Sequence, residues 1–433
     1  MAPKDKNTDN YDVLIIGAGI SGLYAALNMP KGLRVAIADK YKKLGGRTFT
    51  FNQTIDDVKY SWEEGAARIF DSHRLLRGLV HDFHLKLVPI SPEAKYKESG
   101  AYPIEDDVFE GALPVTLKPL FKLSPKVLSG TTVRKLLTEF HGEREASALL
   151  NRHPYRAEMG VMRADMALQL FNHEFKSYDG YSVIAQGFSE LIARMERKFE
   201  KSGGTILRQH ELVGMDGSQK AIFRQGPPSE GIGRPEVEIQ ARRIVFAIPS
   251  TALQRIPQFS DWPLLKHLVM KPLLRVFAVF PKVDGHVWFE GMKKLITATD
   301  SRYIIPNNPA IGSIQISYTD STDAEPLIAR LERDGEEGLG KFLVEDLRTL
   351  LADTYKTIPD PTMVKAYPWK EGVTYWLPGD YDPYAKSKEA CRPFPKQHPN
   401  WFVCGESYST RQCWAEGALE HTEMMLEVFR KTK

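Results

Sequence analysis

Val13-Leu14-Ile15-Ile16 is an apolar run with no polar alternation, the pattern of a central parallel strand buried on both faces. Gly17-Ala18-Gly19-Ile20-Ser21-Gly22 follows. Leu23, Ala26 and Leu27 then share one helical face, up to a stop at Lys31-Gly32. A second apolar strand, Val35–Ala38, ends at Asp39. His73–Leu87 carries apolar residues at helical spacing, and helices are also predicted over Thr131–Arg152 and Glu158–Phe175. Pro89 to Pro125, rich in proline and charge clusters, predicts an irregular stretch. A helix with Leu191, Ile192 and Met195 inward opens at Gln186–Leu191 and ends at Gly203-Gly204. Short strands are predicted at Thr205–Leu207 and Leu212–Met215, a hairpin loop at Gln225–Arg234 and a buried strand at Arg242–Pro249. Alternating strands fill Pro257–Pro395. A last buried strand through Phe402–Glu406 precedes a helix with Ala418, Leu419, Met425, Leu426 and Phe429 on one face.

The glycine spacing G-x-G-x-x-G turns this pattern into chemistry. Gly17 permits a tight turn, Gly19 lets the backbone approach a pyrophosphate, and Gly22 lets the helix pack on the strand. Asp39 stands about 20 residues on, where a carboxylate takes ribose hydroxyls. The bland alternative is a Gly-rich turn in a nucleotide-free α/β domain. It is disfavoured because the motif follows a strand, opens a helix and is answered by an acid.

Composition narrows the class. The 433 residues are too many for one core and suit two domains. A net charge of +3 is too small to argue for nucleic acid or an anionic membrane. Cys391, Cys404 and Cys413 suggest no disulfide framework and fit a reducing compartment. The polar start MAPKDKNTDN reads as a frayed tail without a secretory h-region, and no apolar run is long enough to span a membrane. The last four residues, Arg430-Lys431-Thr432-Lys433, read as neither a membrane anchor nor a peroxisomal address. A cytoplasmic enzyme is the expectation. His81 and His84 could share a helical face, but without a third ligand no metal site is expected.

Leu44-Gly45-Gly46-Arg47, close behind Asp39-Lys40, resembles the GGR of the flavin-dependent amine oxidase superfamily. The resemblance implies FAD, with Asp39 where the family usually has Glu. Gly65-Ala66-Ala67-Arg68-Ile69 matches the G-x-x-R turn that runs beside the flavin in the amino-acid branch. In L-amino-acid oxidases that arginine grips the substrate carboxylate, for which a guanidinium offers a planar bidentate fit. Mono- and polyamine oxidases lack it. By the same resemblance Leu212, or its neighbour Val213, turns its backbone toward adenine. Arg275 stands where many members have a lysine holding a water near flavin N5; it could keep that role, reach the substrate or form an ion pair. Ile316–Asp320 resembles a segment of L-amino-acid oxidases, bacterial L-tryptophan oxidases included, in which a tyrosine joins the arginine on the carboxylate. Tyr318 is the candidate, and a competing alignment chooses Tyr303.

Trp369–Trp376 resembles the family's W-x-x-G-x-y segment. Val373 replaces the cysteine of covalent members, so noncovalent FAD is implied. Thr374 falls at one wall of the amine oxidases' aromatic cage, which weighs against a simple amine unless Tyr375 swings in. Gly405-Glu406 matches the family's GE, implying contact with the ribityl or pyrophosphate. Gln412–Glu420 resembles the closing GWxEGALE, with Cys413 for its first glycine. Trp414 is then the remaining cage wall, and the helix opening at Trp414-Ala415 points its amides at flavin N1/O2.

The fold implied is α/β. A discontinuous Rossmann-type FAD domain takes 10–75, 180–255 and 395–433, and a substrate domain of mixed sheet plus helices takes 76–179 and 256–394. The expected activity is an FAD-dependent oxidase of an L-amino acid. Hydride passes from Cα to flavin N5, the imino acid hydrolyses to a 2-oxo acid and ammonia, and O2 becomes H2O2. Arg68 and Tyr318 fix the carboxylate and Trp414 packs the side chain. No side chain in the motifs reads as a general base, so desolvation supplies the neutral amine. The alternatives are a mono- or polyamine oxidase, an amino-acid 2-monooxygenase, and a flavin-bound protein without turnover. The expected partners are a small amino acid or amine and O2, with a homodimer implied by the resemblance.

Overall fold

The computed structural model describes residues 10–105, 108, 111–174 and 180–432. Of the tail expected over 1–10, residues 1–9 lie outside the described residues and Asn10 instead opens the first strand; Phe175, at the end of a predicted helix, also lies outside them. One sheet has seven strands. Its path runs His210–Asp216, Lys220–Gln225, Glu236–Phe246, Asn10–Ile16, Val35–Asp39, Thr205–Arg208, and Trp401–Val403 also pairs with Glu236–Phe246. The Asn10–Ile16 strand is parallel to both neighbours, with Leu14 against Ile244 and Ala36. It is covered on both faces, which is why its apolar run does not alternate. Helices Ile20–Leu27, Phe188–Lys201 and Ala415–Lys431 pack together over this sheet.

A second, mixed sheet has six strands: Met363–Trp376, Leu268–Val279, Ser313–Asp320, Tyr303–Asn308, Lys294–Thr297 and Ala94–Lys97. Its pairs are antiparallel except the last, which is parallel. The helix Ser321–Leu350 buries Leu327, Leu339, Leu343 and Leu347 against Leu274, Val276, Ile314 and Ile316 of that sheet. Alternating strands alone were expected here. Pro326, Gly335, Gly338 and Gly340 break the helical signal in the sequence, and the helix does kink at Gly335.

Other elements differ from the sequence pattern for local reasons. The helix predicted over His73–Leu87 is Arg74–Asp82; His84 takes φ 53° and the chain turns into the strand Leu87–Ile90. His81 and His84 therefore share no helical face. Thr131–Arg152 breaks at Gly142 into Val133–His141 and Glu143–Asn151. Likewise the segment from Glu158 divides into Arg156–Gly160 and Ala164–Glu174. The stretch expected to be irregular holds the strand Ala94–Lys97 and the helix Ala112–Leu117. The strand placed at Arg242–Pro249 spans Glu236–Phe246, because its amphipathic first half pairs with Lys220–Gln225. The closing strand is Trp401–Val403.

Candidate active site

The glycine loop is close-packed on one side and open on the other. Gly17 takes φ 102°, and a Cβ on it would lie 2.5 Å from the Ala247 carbonyl oxygen. A Cβ on Gly22 would meet the Gly17 carbonyl oxygen at 1.9 Å. Gly19 bridges to Gly45, yet a Cβ on it would have no neighbour nearer than 3.9 Å. Gly405 is similarly open, with Ser21 Oγ at 3.9 Å from such a Cβ. Gly19, Gly46, Ser21 and Gly405 thus border a groove at the start of the Ile20–Leu27 helix, whose first turn is Ile20-Ser21-Gly22.

Asp39 is fixed at this loop. Its carboxylate accepts the Ala18 N–H at 2.7 Å and the Tyr41 N–H at 2.8 Å, and burial holds its pKa above the ordinary value. Lys40 lies over the Tyr41 ring at 4.8 Å. Arg47 donates to the Gly372 carbonyl at 2.7 Å and pairs with Glu406 at 2.9 Å. Glu406, 7% exposed, also accepts the Cys413 N–H at 2.8 Å and the Thr374 hydroxyl at 3.1 Å. The expected GGR and GE motifs are therefore partners. Leu212 pairs with Phe223, and the ladder then skips Val213, so the bulge falls on Val213. Backbone that can approach closely, a buried acid and a helix N-terminus suit the phosphates and ribose of a dinucleotide.

A cavity beside this groove brings together Arg68, Arg275, Tyr318 and Trp414, with the Gly65-Ala66-Ala67 turn and Ala415. The Arg68 guanidinium lies 5.5, 5.6 and 5.8 Å from the ring centres of Tyr155, Tyr181 and Tyr303. Burial works against its charge, but Tyr303, Tyr318, Tyr181 and Glu158 outweigh that and hold its pKa above the ordinary value. Among the described residues it has no carboxylate in ion-pair contact. Tyr318 lines the cavity, whereas Tyr303, 1% exposed, stacks behind it at 6.3 Å.

Arg275 is tied to the same turn that carries Arg68. Its Nη1 donates to the Gly65 carbonyl at 2.5 Å and its Nη2 to Gln315 Oε1 at 2.8 Å; its Nε has no hydrogen-bond partner among the described residues. Burial and then the like charge of Arg68 push its pKa down to about 10. Of its three expected roles, the ion pair is not what holds it among the described residues. Glu63, behind it, is pushed up to about 7 by burial.

Trp414 caps the Ala415–Lys431 helix and packs on Phe70 at 4.8 Å and His73 at 5.2 Å. Glu416 accepts the N–H groups of Leu75 and Leu76, each at 2.8 Å, and pins this helix to the segment after Arg68. Cys413 takes φ 70°, the left-handed region that explains why the related motif has glycine there. Thr374 is not a cavity wall. It is 0% exposed and its hydroxyl is bonded to Glu406 and Ser407. Strand alternation turns Val373 and Tyr375 to the cavity instead. Sequence reasoning also missed Tyr155, Glu158 and Asp320 in these walls. Asp320 was within reach, since it follows Tyr318 by two residues on one strand and so shares its face. Burial first, then Asp323, raises its pKa to about 7.

The model of the flavin containing amine oxidoreductase family matches residues 20–422. The chain belongs to this family. An L-amino-acid oxidase of Siganus canaliculatus is 23% identical, over 96% of this chain and 84% of that protein. A flavin-containing amine oxidase of Oncorhynchus mykiss is 33% identical over 115 residues, 26% of this chain. An L-amino-acid oxidase of Mus musculus is 40% identical over 78 residues, 17% of this chain. The latter two matches span only 20% and 12% of those relatives' length. Among solved structures, a putrescine oxidase double mutant has TM-score 0.73 at 17% identity, covering 98% of this chain and 100% of that one. Cyclohexylamine oxidase from Brevibacterium oxydans has TM-score 0.68 at 17% identity, covering 97% of this chain and 99% of that one. These likenesses fix the fold as the α/β fold of the flavin amine oxidases. Family membership implies a flavin, and the groove at Gly19, Gly46 and Gly405 fits it. Among the described residues, no helix of this amine oxidoreductase is long and apolar enough to cross a membrane.

Proposed function

We propose that this chain is an FAD-dependent oxidase of L-amino acids, with the FAD held noncovalently. The observation that carries the reading is Arg68, a guanidinium facing the cavity from a cage of tyrosine rings, with Tyr318 beside it. A cation so placed, without a carboxylate of the chain on it among the described residues, suits the carboxylate of a substrate. FAD, when bound, supplies a hydride acceptor for the substrate Cα and a route for the electrons to O2. Gly19, Gly46 and Gly405 would admit its pyrophosphate, Asp39 its ribose, and the backbone around Val213 its adenine. Arg68 and Tyr318 orient the substrate by its carboxylate. Trp414 and Tyr375 wall the cavity around Cα and exclude water. Arg275 and Arg68 are two fixed cations which, with desolvation, lower the pKa of the substrate ammonium toward the neutral amine.

Tyr375 and Trp414 together favour a second reading, a mono- or polyamine oxidase, since two aromatic walls suit an ammonium. Peroxide release decides between them. The purified protein is tested with the proteinogenic L-amino acids beside putrescine, spermidine, tyramine and phenethylamine. Peroxide from amino acids and none from the amines supports the clamp. Peroxide from the amines alone overturns it. A 2-oxo acid product, rather than an amide, separates oxidase from 2-monooxygenase.

A further inference from the structure

The turn Glu64–Ala67 that leads into Arg68 lies outside any strand or helix, yet its backbone is held from two sides. On one side the Ala66 N–H donates to the Arg47 carbonyl at 3.0 Å, and a Cβ on Gly65 would lie 2.1 Å from that same oxygen. On the other side, two strands of the six-stranded sheet reach the turn. Trp369 Nε1 donates to the Glu64 carbonyl at 2.8 Å, and Arg275 Nη1 donates to the Gly65 carbonyl at 2.5 Å. These donors stand on neighbouring strands, where Leu273 pairs with Trp369 and Arg275 with Tyr367. Beyond the turn, Ile69 opens the strand Ile69–Phe70 and pairs with Ser182. Arg68 therefore projects from a short span between an anchored carbonyl and the start of a strand. Whatever fixes the Gly65 carbonyl fixes the origin of the Arg68 side chain.

Arg275 is itself held in place. Its Nη2 donates to Gln315 Oε1 at 2.8 Å, and the Gln315 amide donates in turn to the Ser317 carbonyl at 3.3 Å. Its guanidinium lies 5.2 Å from the ring centres of both Phe277 and Tyr318. Gln315 is buried in the sheet and is not part of the cavity wall. A guanidinium meets these demands because its two terminal nitrogens, fixed in one plane, reach two oxygens at once. A lysine ammonium is a single point on a flexible stem and cannot span the same pair with fixed geometry. Burying a second cation beside Arg68 is unfavourable, which makes the fork, rather than the charge alone, the property that this position requires.

We propose that Arg275 is a positioning residue: it sets the Gly65 carbonyl, and through it the direction from which Arg68 meets the substrate carboxylate. This rests on the amino-acid reading. The lysine that the family resemblance expects at this place would hold a water near the flavin. Here both terminal nitrogens are engaged elsewhere, one by the turn and one by Gln315.

The test uses the flavin-loaded protein and the L-amino acid that it oxidises best. Arg275→Lys keeps the cation and loses the fork. Its KM should rise about 10-fold while kcat stays within about threefold of wild type, as for a weakened hold on the carboxylate. The rate at which O2 reoxidises the dithionite-reduced enzyme should not change. Gln315→Met keeps Arg275 and removes its second anchor from outside the cavity. Its KM should rise in the same direction by about threefold, and it replaces Arg275→Lys throughout if that variant fails to fold. The deciding measurement is a cycle with Arg68→Met. With Arg68 gone, Arg275→Lys should add less than about threefold to KM, because a residue that acts through another has nothing left to act on. A full further 10-fold rise in that background means that Arg275 meets the substrate itself, and overturns the proposal. An unchanged KM in the single variants overturns it as well. So does a reoxidation rate about 10-fold lower with KM unchanged, which assigns Arg275 to the flavin. Each of these leaves the amino-acid reading standing. Wild-type protein that releases peroxide from amines and from no L-amino acid overturns both.

Discussion

Replacing Arg68 by lysine keeps the charge and removes the fork. The guanidinium is positioned by three rings at 5.5 to 5.8 Å, and a lysine ammonium on its flexible stem inherits neither the planar pair of donors nor that stacking. One charge-assisted hydrogen bond is worth about 1.5–3 kcal/mol, so losing one of two costs about 2 kcal/mol, or about 30-fold in KM. Arg68→Met removes both and leaves the substrate carboxylate buried without a partner. That costs about 3–5 kcal/mol, or about 150- to 5,000-fold. The carboxylate is held equally in the ground and transition states, so KM carries most of the loss and kcat little. The assay is steady-state peroxide release with the best L-amino acid, beside a thermal melt of each variant. The expected KM order is wild type, Arg68→Lys, Arg68→Met. An Arg68→Met enzyme with a KM within about threefold of wild type would refute the clamp. If its melting point fell at the same time, Arg68 would be a core cation held by Tyr155, Tyr181 and Tyr303.

Tyr318→Phe removes one hydroxyl donor from the same carboxylate, a bond to a charged group worth about 1.5–3 kcal/mol, and raises KM about 10- to 150-fold, measured on the same substrate. Gly22→Ala drives a Cβ to 1.9 Å from the Gly17 carbonyl oxygen, so the purified variant should lack the yellow flavin absorbance expected of wild type. Thr374→Val takes a donor from Glu406 and breaks the 2.9 Å contact with Ser407; denaturant unfolding should show a loss of about 1–3 kcal/mol. Glu63 titrates from 4.5 in the open chain to about 7 when buried. Between those values the folded state keeps a proton that the unfolded state has lost, so stability falls as pH rises from 4.5 through 7. Glu63→Gln should flatten that fall by about 1.4 kcal/mol per pH unit, read from unfolding curves at stepped pH.

Much of the nucleotide side was legible because its demands are local. Gly17, Gly19 and Gly22 meet backbone limits that any residue string reveals, and Asp39 ends a strand whose apolar run fixes its place beside Ala18. Arg68, Arg275, Tyr318 and Trp414 were legible one at a time, each from its own motif, and the fold then brought them to one cavity. Their setting was not legible. Glu158 sits on a five-residue helix with no motif, and its neighbour Ala157 donates to Asp320, 163 positions away. The helix Ser321–Leu350 was hidden because Pro326 and three glycines, Gly335, Gly338 and Gly340, interrupt a pattern that packing against the sheet restores.

The displaced cage wall shows how the two halves of the site constrain each other. Arg47 holds Glu406, and Glu406 holds both the Thr374 hydroxyl and the Cys413 N–H. With Thr374 turned to that acid, the period of two along Met363–Trp376 leaves Val373 and Tyr375 facing the cavity. The same acid anchors Cys413 in a left-handed conformation, which sets the direction in which the chain enters the Ala415–Lys431 helix and hence the placement of Trp414. A pair of aromatic walls of the cavity is therefore positioned by the Arg47–Glu406 ion pair. Reading position by position from the family motif assigns the wall to Thr374. Reading the hydrogen bonds assigns it to Tyr375, because a buried hydroxyl goes where its acceptor is and the strand carries its neighbours the other way.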